Sequence, residues 1–203
     1  MEGRESLVRA GQGRGERADA ARNRAKILAA AAEIIASRGI DALTMAEVAA
    51  ASGVGVGTLY RRFGDRSGLA YALIDQRERE FQAAFIDGPA PLGPGAPPAA
   101  RVRAFLHALA DRTVAQLDLL LMAETATPFA RFGGAYDAYH HHLTTLITQA
   151  RGQEGDAVFL ADALLAPLAA NLVAYRLEEL GPDRIKAGLD RLLTGLESSQ
   201  DVS

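Results

Sequence analysis

The chain has 203 residues, of which 49% are hydrophobic and 23% are charged, the proportions of an ordinary globular protein. It contains no cysteine, which excludes disulfide bonds and thiolate chemistry. The net charge of −3 is unevenly distributed: residues 1–66 contain 11 Lys and Arg against 8 Asp and Glu, whereas residues 67–203 contain 11 against 17. The basic excess suggests that the N-terminal third contacts a polyanion.

Neither a secretory signal nor a membrane span is expected. Residues 1–17 mix Arg, Glu and Gly and lack the apolar core of a signal peptide. The longest apolar stretch, residues 158–175, contains Asp162, Pro167 and Asn171. A membrane helix would bury these three residues in lipid at a high free-energy cost, so we expect a cytoplasmic protein.

Apolar residues at helical spacing predict a first helix over residues 18–38, which ends at Gly39. Residues 1–17 are rich in glycine and in charges of both signs, which predicts a flexible N-terminal arm. The arginines of this arm leave open whether it contacts DNA. The apolar positions of the helix are Ile27, Ala31, Ile34 and Ile35, and the arginines assigned to the arm are Arg4, Arg9, Arg14, Arg17, Arg22 and Arg24.

Two short helices are predicted next, separated by a tight turn. Thr44 begins the second helix, and Glu47 three residues later gives the pattern of a capping box. This helix ends near Ser52 and Gly53, and a third helix covers about Val56–Phe63. Two short helices joined by three or four residues that include glycine are typical of a helix-turn-helix.

The rest of the chain is also predicted to be helical. Asp65 can cap a fourth helix that runs to about Phe85, and five of the eight prolines then place residues 87–98 in a loop. Pro167 predicts a kink in a long helix. The fold class is therefore all-α, with a DNA-binding domain at 18–65 and a larger domain at 66–203. The remaining helices are predicted at about 100–117, 119–126, 129–150, 156–180 and 183–197.

The third helix is predicted to expose a surface that suits DNA. Its inward residues and those of the second helix form a small apolar contact, whereas the outward face combines hydroxyl, phenol and guanidinium groups. Such groups bind phosphate oxygens, and groups at a helix N-terminus reach base edges in the major groove. The inward set is Val48, Ala49, Leu59 and Phe63, and the outward set is Val56, Gly57, Thr58, Tyr60, Arg61 and Arg62.

At this point the sequence resembles the TetR family of transcriptional regulators. The resemblance implies a repressor that binds a palindromic operator, and it implies that Val56, Gly57 and Arg61 face base edges. The family often has serine where Gly55 stands, so a hydroxyl cap for the third helix is absent. The matching residues are Thr44, Val48, Ala49, Gly53, Val54, Gly57, Thr58, Leu59, Tyr60, Phe63, Arg66 and Leu69; those implied to touch the DNA backbone are Thr44, Thr58, Tyr60, Arg62 and Arg66.

The resemblance also implies a homodimer and an effector pocket. The apolar residues 157–177 and a leucine stripe in the last helix predict pairing of two subunits through helices 156–180 and 183–197, although one thick core would give the same pattern. A small apolar effector is expected between the helices of residues 66–150 and part of the next helix. The candidate pocket residues are Phe81, Phe85, Phe105, Met122, Phe132, Tyr136, His140, Asn171 and Tyr175; the leucine stripe is Ile185, Leu189, Leu192, Leu193 and Leu196.

The sequence leaves room for three other interpretations. The run His140, His141 and His142 is not expected to bind a metal, because consecutive helical residues point about 100° apart. An enzyme is not expected, because no nucleophile pattern or metal motif is present, and no cofactor is predicted. A DNA-binding architectural protein without an effector stays open as the alternative to a ligand-controlled repressor.

Overall fold

The computed structural model describes residues 2–124, 134–152, 156–179 and 181–197, and their side chains over 18–121, 134–152, 156–179 and 181–194. Over these residues the backbone forms ten α-helices and two short 3-10 turns, which agrees with the predicted all-α fold. In chain order the elements are α1 (Glu2–Arg38), a first 3-10 turn (Ile40–Ala42), α2 (Met45–Ser52), α3 (Val56–Phe63), α4 (Arg66–Asp87), α5 (Pro98–Ala115), α6 (Leu117–Glu124), α7 (Ala135–Arg151), α8 (Ala157–Leu165), a second 3-10 turn (Ala166–Leu168), α9 (Ala170–Arg176) and α10 (Pro182–Glu197).

The chain divides into two units, Met1–Asp75 and Gln76–Ser203. The boundary lies inside α4, ten residues after the predicted domain boundary at residue 65. The first turns of α4 belong to the first unit because Leu69 and Leu73 are buried there, at 0% and 2% exposure. A domain boundary placed at a helix start therefore misses the part of the helix that completes the small N-terminal core.

The first unit is built on an apolar stripe of α1. Ile27, Ala31 and Ile34 are buried as predicted, and α2 packs on α1 and on α3. Val48 of α2 and Leu59 of α3 are both fully buried, so the two short helices are held by one apolar contact. Burial of one such side chain contributes about 1.5–3 kcal/mol, which outweighs the small helix propensity of an eight-residue segment.

The N-terminal arm differs from the prediction. The helix α1 begins at Glu2, so the backbone of residues 2–17 continues the helix that was predicted to start at residue 18. The sequence contains no proline between residues 2 and 38, so every backbone N–H in this stretch can join the helical ladder. Of the arginines assigned to the arm, Arg4, Arg9, Arg14 and Arg17 lie outside the described side chains, whereas Arg22 pairs with Asp19 on α1.

The second unit has its core between α5, α7 and α10. The helix α7 packs on α5 and α8, and α10 packs on α5 through Ile185, Leu189 and Leu193 of the predicted stripe. Leu192 of the same stripe is 53% exposed, and the side chain of Leu196 lies outside the described residues. The stripe is therefore divided between the core of this unit and its surface.

The long helix predicted over residues 156–180 is broken in two. Pro167 has no backbone N–H, and the chain passes through the second 3-10 turn to Ala169, whose backbone is extended at φ −62° and ψ 128°. The predicted kink is thus confirmed as a break. Of the helices that the structure describes, none is by itself long and apolar enough to cross a membrane; by length and composition alone, the bent pair Ala157–Leu168 and Ala170–Arg176, at 43°, passes that test.

Candidate nucleic-acid interface and ligand region

The N-terminus of α2 is fixed by one hydroxyl group. Thr44 Oγ1 accepts a hydrogen bond from the backbone N–H of Glu47 at 3.2 Å, which confirms the predicted cap. The second half of the predicted capping box is absent, because the Glu47 carboxylate accepts a hydrogen bond from Arg38 at 2.7 Å instead. This hydrogen bond and charge pairing lower the pKa of Glu47. Arg38 therefore joins the end of α1 to the start of α2.

Glycine sets the geometry of the turn between α2 and α3. Gly53 adopts the left-handed conformation at φ 67° and ψ 21°, which penalises residues with a Cβ atom. Gly55 precedes α3 and offers no side-chain cap, as the sequence indicates. The N-terminal N–H groups of α3 are therefore not capped by a local side chain.

The outward face of α3 matches the predicted set. Val56 and Tyr60 are 45% and 54% exposed, and Gly57, Arg61 and Arg62 are also exposed. Thr58 is half-buried. In the part of the chain that the structure describes, no hydrogen bond or ion pair engages the side chain of Tyr60, Arg61 or Arg62. The helix thus exposes one phenol and two guanidinium groups that have no carboxylate partner in the described part of the chain.

Arg24 of α1 contacts Phe63 of α3, and the sequence did not predict this contact. Its guanidinium lies over the ring of Phe63, 5.8 Å from the ring centroid, and 3.5 Å from Asp75 Oδ2. Phe63 is half-buried and not fully inside the core. No local pattern signals this contact, because the residues involved are far apart in the sequence.

Arg66 is the predicted interface residue whose position differs most from expectation. Its Nη2 donates a hydrogen bond to the backbone oxygen of Ile40 at 2.6 Å, and the same nitrogen is 3.8 Å from Asp41 Oδ1. The guanidinium of Arg66 is therefore bound to the first 3-10 turn. The phosphate contact implied by the family resemblance does not follow from this position.

In the second unit, three predicted ligand residues form a packed aromatic cluster. Phe81, Phe85 and Phe105 have ring centroids 5.1–5.5 Å apart and are at most 9% exposed. Tyr139 and His142 complete this cluster, with centroids 5.6 Å and 5.1 Å from that of Phe105. Tyr139, which was not among the predicted pocket residues, is buried at 7% exposure next to the predicted His140.

A buried ion pair lies against this aromatic cluster. Arg112 Nη2 is 2.8 Å from Glu78 Oε2, and the two side chains are 9% and 14% exposed. Arg112 Nη1 donates a hydrogen bond to Tyr139 Oη at 2.7 Å, and Tyr139 Oη donates to Glu78 Oε2. Burial, the largest cause, raises the pKa of Tyr139, which keeps its hydroxyl proton available for Glu78. Glu78, Arg112 and Tyr139 therefore form a buried polar triad with two hydrogen bonds and one ion pair.

The other predicted ligand residues do not join the aromatic cluster. Tyr136 Oη donates a hydrogen bond to Asp162 Oδ1 at 2.6 Å, and His140 Nε2 lies 3.2 Å from the backbone oxygen of Val158. Asn171 and Tyr175 are exposed, the latter at 84%. The side chains of Met122 and Phe132 lie outside the described residues.

Together, α2, the glycine turn and α3 form a helix-turn-helix. The chain is therefore a helix-turn-helix protein with an all-α fold. Residues 27–73 match the family model of bacterial regulatory proteins, tetR family. A helix-turn-helix-type transcriptional regulator of Staphylococcus aureus is 38% identical over 60 residues, which cover 30% of this chain and 32% of the relative. The chain thus matches about a third of the length of the curated relative. Residues 27–73 are therefore similar to the DNA-binding segment of the tetR family.

Solved structures extend the likeness in fold to most of the chain. A TetR-family transcriptional regulator from Pectobacterium atrosepticum superposes with a TM-score of 0.61 at 24% identity, over 87% of this chain and 93% of that one. AibR, solved in complex with isovaleryl coenzyme A and operator DNA, superposes with a TM-score of 0.55 at 20% identity, over 82% and 95% of the two chains. At these identities the likeness establishes the all-α fold.

We predict that replacing His142 with phenylalanine reduces the loss of stability in mild acid. Burial among the rings, and then nearby Arg101 and His141, lower the pKa of His142 from 6.5 to about 4. Between these values the unfolded chain binds a proton that the folded chain does not, so the free energy of unfolding falls as the pH drops from 6.5 towards 4. Urea unfolding of wild type and His142→Phe at pH 7.5, 6 and 5 measures the difference.

The comparison at pH 7.5 serves as the control, because His142 is neutral there in both the folded and the unfolded chain. The difference in free energy of unfolding between the two proteins should be constant above pH 7 and should shift in favour of His142→Phe as the pH falls below 6. Parallel stability curves across the whole range would show that His142 is not protonated on unfolding.

Proposed function

We propose that the protein is a transcriptional repressor that binds a palindromic operator as a homodimer and is released by a small apolar effector. The observation that carries the DNA-binding part is the exposed face of α3, where Tyr60, Arg61 and Arg62 have no partner within the described residues. No carboxylate competes with a phosphate group for these exposed guanidinium groups in the described part of the chain. In bacteria such a regulator acts in the cytoplasm, where the DNA is.

The residues of α3 divide into two proposed roles. Its N-terminal end enters the major groove, where the methyl groups of Val56 contact a thymine methyl and the bare Gly57 allows the backbone to approach closely. Arg61 reads a guanine, and Arg62 binds phosphate together with Thr58 and Tyr60. Thr44 uses its hydroxyl oxygen to cap α2, which leaves the hydroxyl proton for a phosphate oxygen.

We predict different losses for the two neighbouring arginines. Arg62→Ala should weaken binding to operator and to random duplex DNA alike, and should lower the salt slope by about 0.9 per lost phosphate contact. Arg61→Ala should weaken operator binding by about 1–3 kcal/mol and relax the preference at one base pair of each half-site. Footprinting on DNA that flanks the gene, followed by fluorescence-anisotropy titrations at several salt concentrations, measures both.

Each variant is the matched control for the other, because the two residues are adjacent, exposed and of equal charge. We expect the wild-type footprint to cover an inverted repeat. Equal losses of Arg61→Ala on operator and random DNA would remove Arg61 as a base reader, and a wild type indifferent to duplex DNA would end the proposal.

The surface of α8, α9 and α10 supports the proposed dimer. Six of the ten exposed large hydrophobic residues of the described chain lie on these helices or at the end of α9, and Phe159 is 66% exposed. Covering one large apolar side chain contributes about 1.5–3 kcal/mol, so a second subunit would gain from several of them together. The six residues are Val158, Phe159, Leu172, Tyr175, Leu177 and Leu192.

We predict that Phe159→Asp converts the dimer to a monomer, because a carboxylate in a covered apolar interface loses its hydration. Ile86→Asp is the matched control, since Ile86 is 52% exposed on α4, away from the proposed interface. Sedimentation velocity at micromolar concentration should show a monomer only for Phe159→Asp. A wild-type monomer, or a dimer that survives Phe159→Asp unchanged, would contradict pairing through α8.

The helix α4 is the proposed route of effector control. It is one continuous helix from Arg66 to Asp87, and Glu78 in its middle is bound to Arg112 and Tyr139 of the second unit. A ligand that favours another position of α4 would change the spacing of the two recognition helices. Coupling of this kind amounts to about 1–3 kcal/mol, a several-fold to hundredfold change in DNA affinity.

We predict that an effector and the operator weaken each other's binding by the same factor, because coupling between two sites is reciprocal. A screen of small apolar molecules for a raised Tm would supply the ligand, and titration calorimetry with and without operator would measure its two affinities. Random duplex DNA at the same salt concentration is the control. A ligand that binds equally well to free and operator-bound protein would contradict the mechanism while leaving DNA binding intact.

One observation favours the alternative of a DNA-binding protein without an effector. The rings of Phe81, Phe85, Phe105 and Tyr139 pack against one another with centroids 5.1–6.3 Å apart, as in a filled core. Under this alternative no ligand from the screen would change operator affinity.

A further inference from the structure

From the geometry of Arg66 we infer that this residue is a positioning residue for the helix-turn-helix and not a phosphate ligand. The inference rests on the proposed DNA-binding function and concerns the same site. It reverses the role that the family resemblance implies for this position. The observation behind it is the hydrogen bond of 2.6 Å from Arg66 Nη2 to the backbone oxygen of Ile40.

The bond joins the two ends of the helix-turn-helix. Ile40 and Arg66 are 26 residues apart, and the segment between them contains α2, the glycine turn and α3. One end of the segment is the first 3-10 turn, and the other is the first residue of α4. A bond across these ends limits how far α2 and α3 can rotate as a pair relative to α1 and α4.

The oxygen that Arg66 binds also organises the approach to α2. The backbone N–H of Leu43 donates to the same Ile40 oxygen at 3.0 Å, which closes the 3-10 turn. Leu43 is fully buried, and Thr44 follows it directly as the cap of α2. The guanidinium of Arg66 therefore holds the 3-10 turn that determines the position of the Thr44 hydroxyl.

The surroundings of Arg66 are unfavourable for a phosphate group. The carboxylate of Asp41 lies 3.8 Å from Arg66 Nη2 and is fully exposed, so it would repel an approaching phosphate. Arg66 Nε is shielded from solvent and has no hydrogen-bond partner within the described residues. Arg62 differs in both respects, because no carboxylate lies within ion-pair distance of its exposed guanidinium in the described chain.

The test compares Arg66→Met with Arg62→Met, in the full-length protein, on operator and random duplex DNA. Methionine keeps an apolar stem of similar width and removes both the charge and the donor. For Arg66→Met we expect operator affinity to fall about tenfold with an unchanged slope of log Kd against log salt concentration, because no phosphate contact is lost. For Arg62→Met the slope should fall by about 0.9 per subunit.

Hydrogen exchange gives a readout that distinguishes positioning from general destabilisation. Arg66→Met should speed exchange of the Leu43 amide, whose acceptor loses its second donor, while amides in the α1 core keep their protection. Arg66→Lys is a second variant that keeps the charge. Across both variants the loss of operator affinity should follow the gain in Leu43 exchange.

Three results would overturn the inference: a slope reduced in Arg66→Met as much as in Arg62→Met, an unchanged operator affinity in Arg66→Met, or an affinity loss without faster Leu43 exchange. A wild type that binds no duplex DNA would instead refute the proposed function. In that case the exchange measurement would still show whether Arg66 holds the turn.

Discussion

The packing of α2 against α3 is the constraint on which the rest of the interface depends. Val48 of α2 and Leu59 of α3 are fully buried, and the two eight-residue helices that carry them are too short to be stable alone. The Thr44 cap contributes about 1 kcal/mol, and the left-handed Gly53 lets the chain reverse without strain. Because both helices are held from inside, every outward side chain of α3 is free for a partner.

The arginines of the first unit divide into two groups by their partners. Arg24, Arg38 and Arg66 each lie beside a carboxylate or a backbone oxygen, and each joins two elements of the unit. Arg61 and Arg62 have no such partner among the described residues. Among these five arginines, the two without a partner both lie on α3, the face proposed to bind DNA.

Local sequence signals predicted the local structure, and non-local contacts could not be predicted. The Thr44 cap and the Asp65 cap, which accepts the Gly68 N–H at 2.9 Å, involve residues three apart, so spacing alone reveals them. The bond from Arg66 to Ile40 spans 26 residues, and no periodicity encodes it. For the same reason the sequence could not predict that Tyr136 and His140 lie outside the cluster of Phe81, Phe85 and Phe105. The packing of α7 on α5 determines which face of α7 points to the core. Tyr139 and His142 lie on this face, against Phe105 of α5.

The buried triad of Glu78, Arg112 and Tyr139 limits how an effector can act through α4. Removing one partner of a buried ion pair costs about 3–5 kcal/mol, because the remaining charge stays desolvated. Allosteric coupling typically amounts to about 1–3 kcal/mol, which is less than that cost. A ligand that broke the Glu78–Arg112 pair outright would therefore need to offer its own charge to the stranded partner. Under the proposed effector control, the less costly route leaves the Glu78–Arg112 pair intact, so that α4 and α5 keep their contact when the ligand binds.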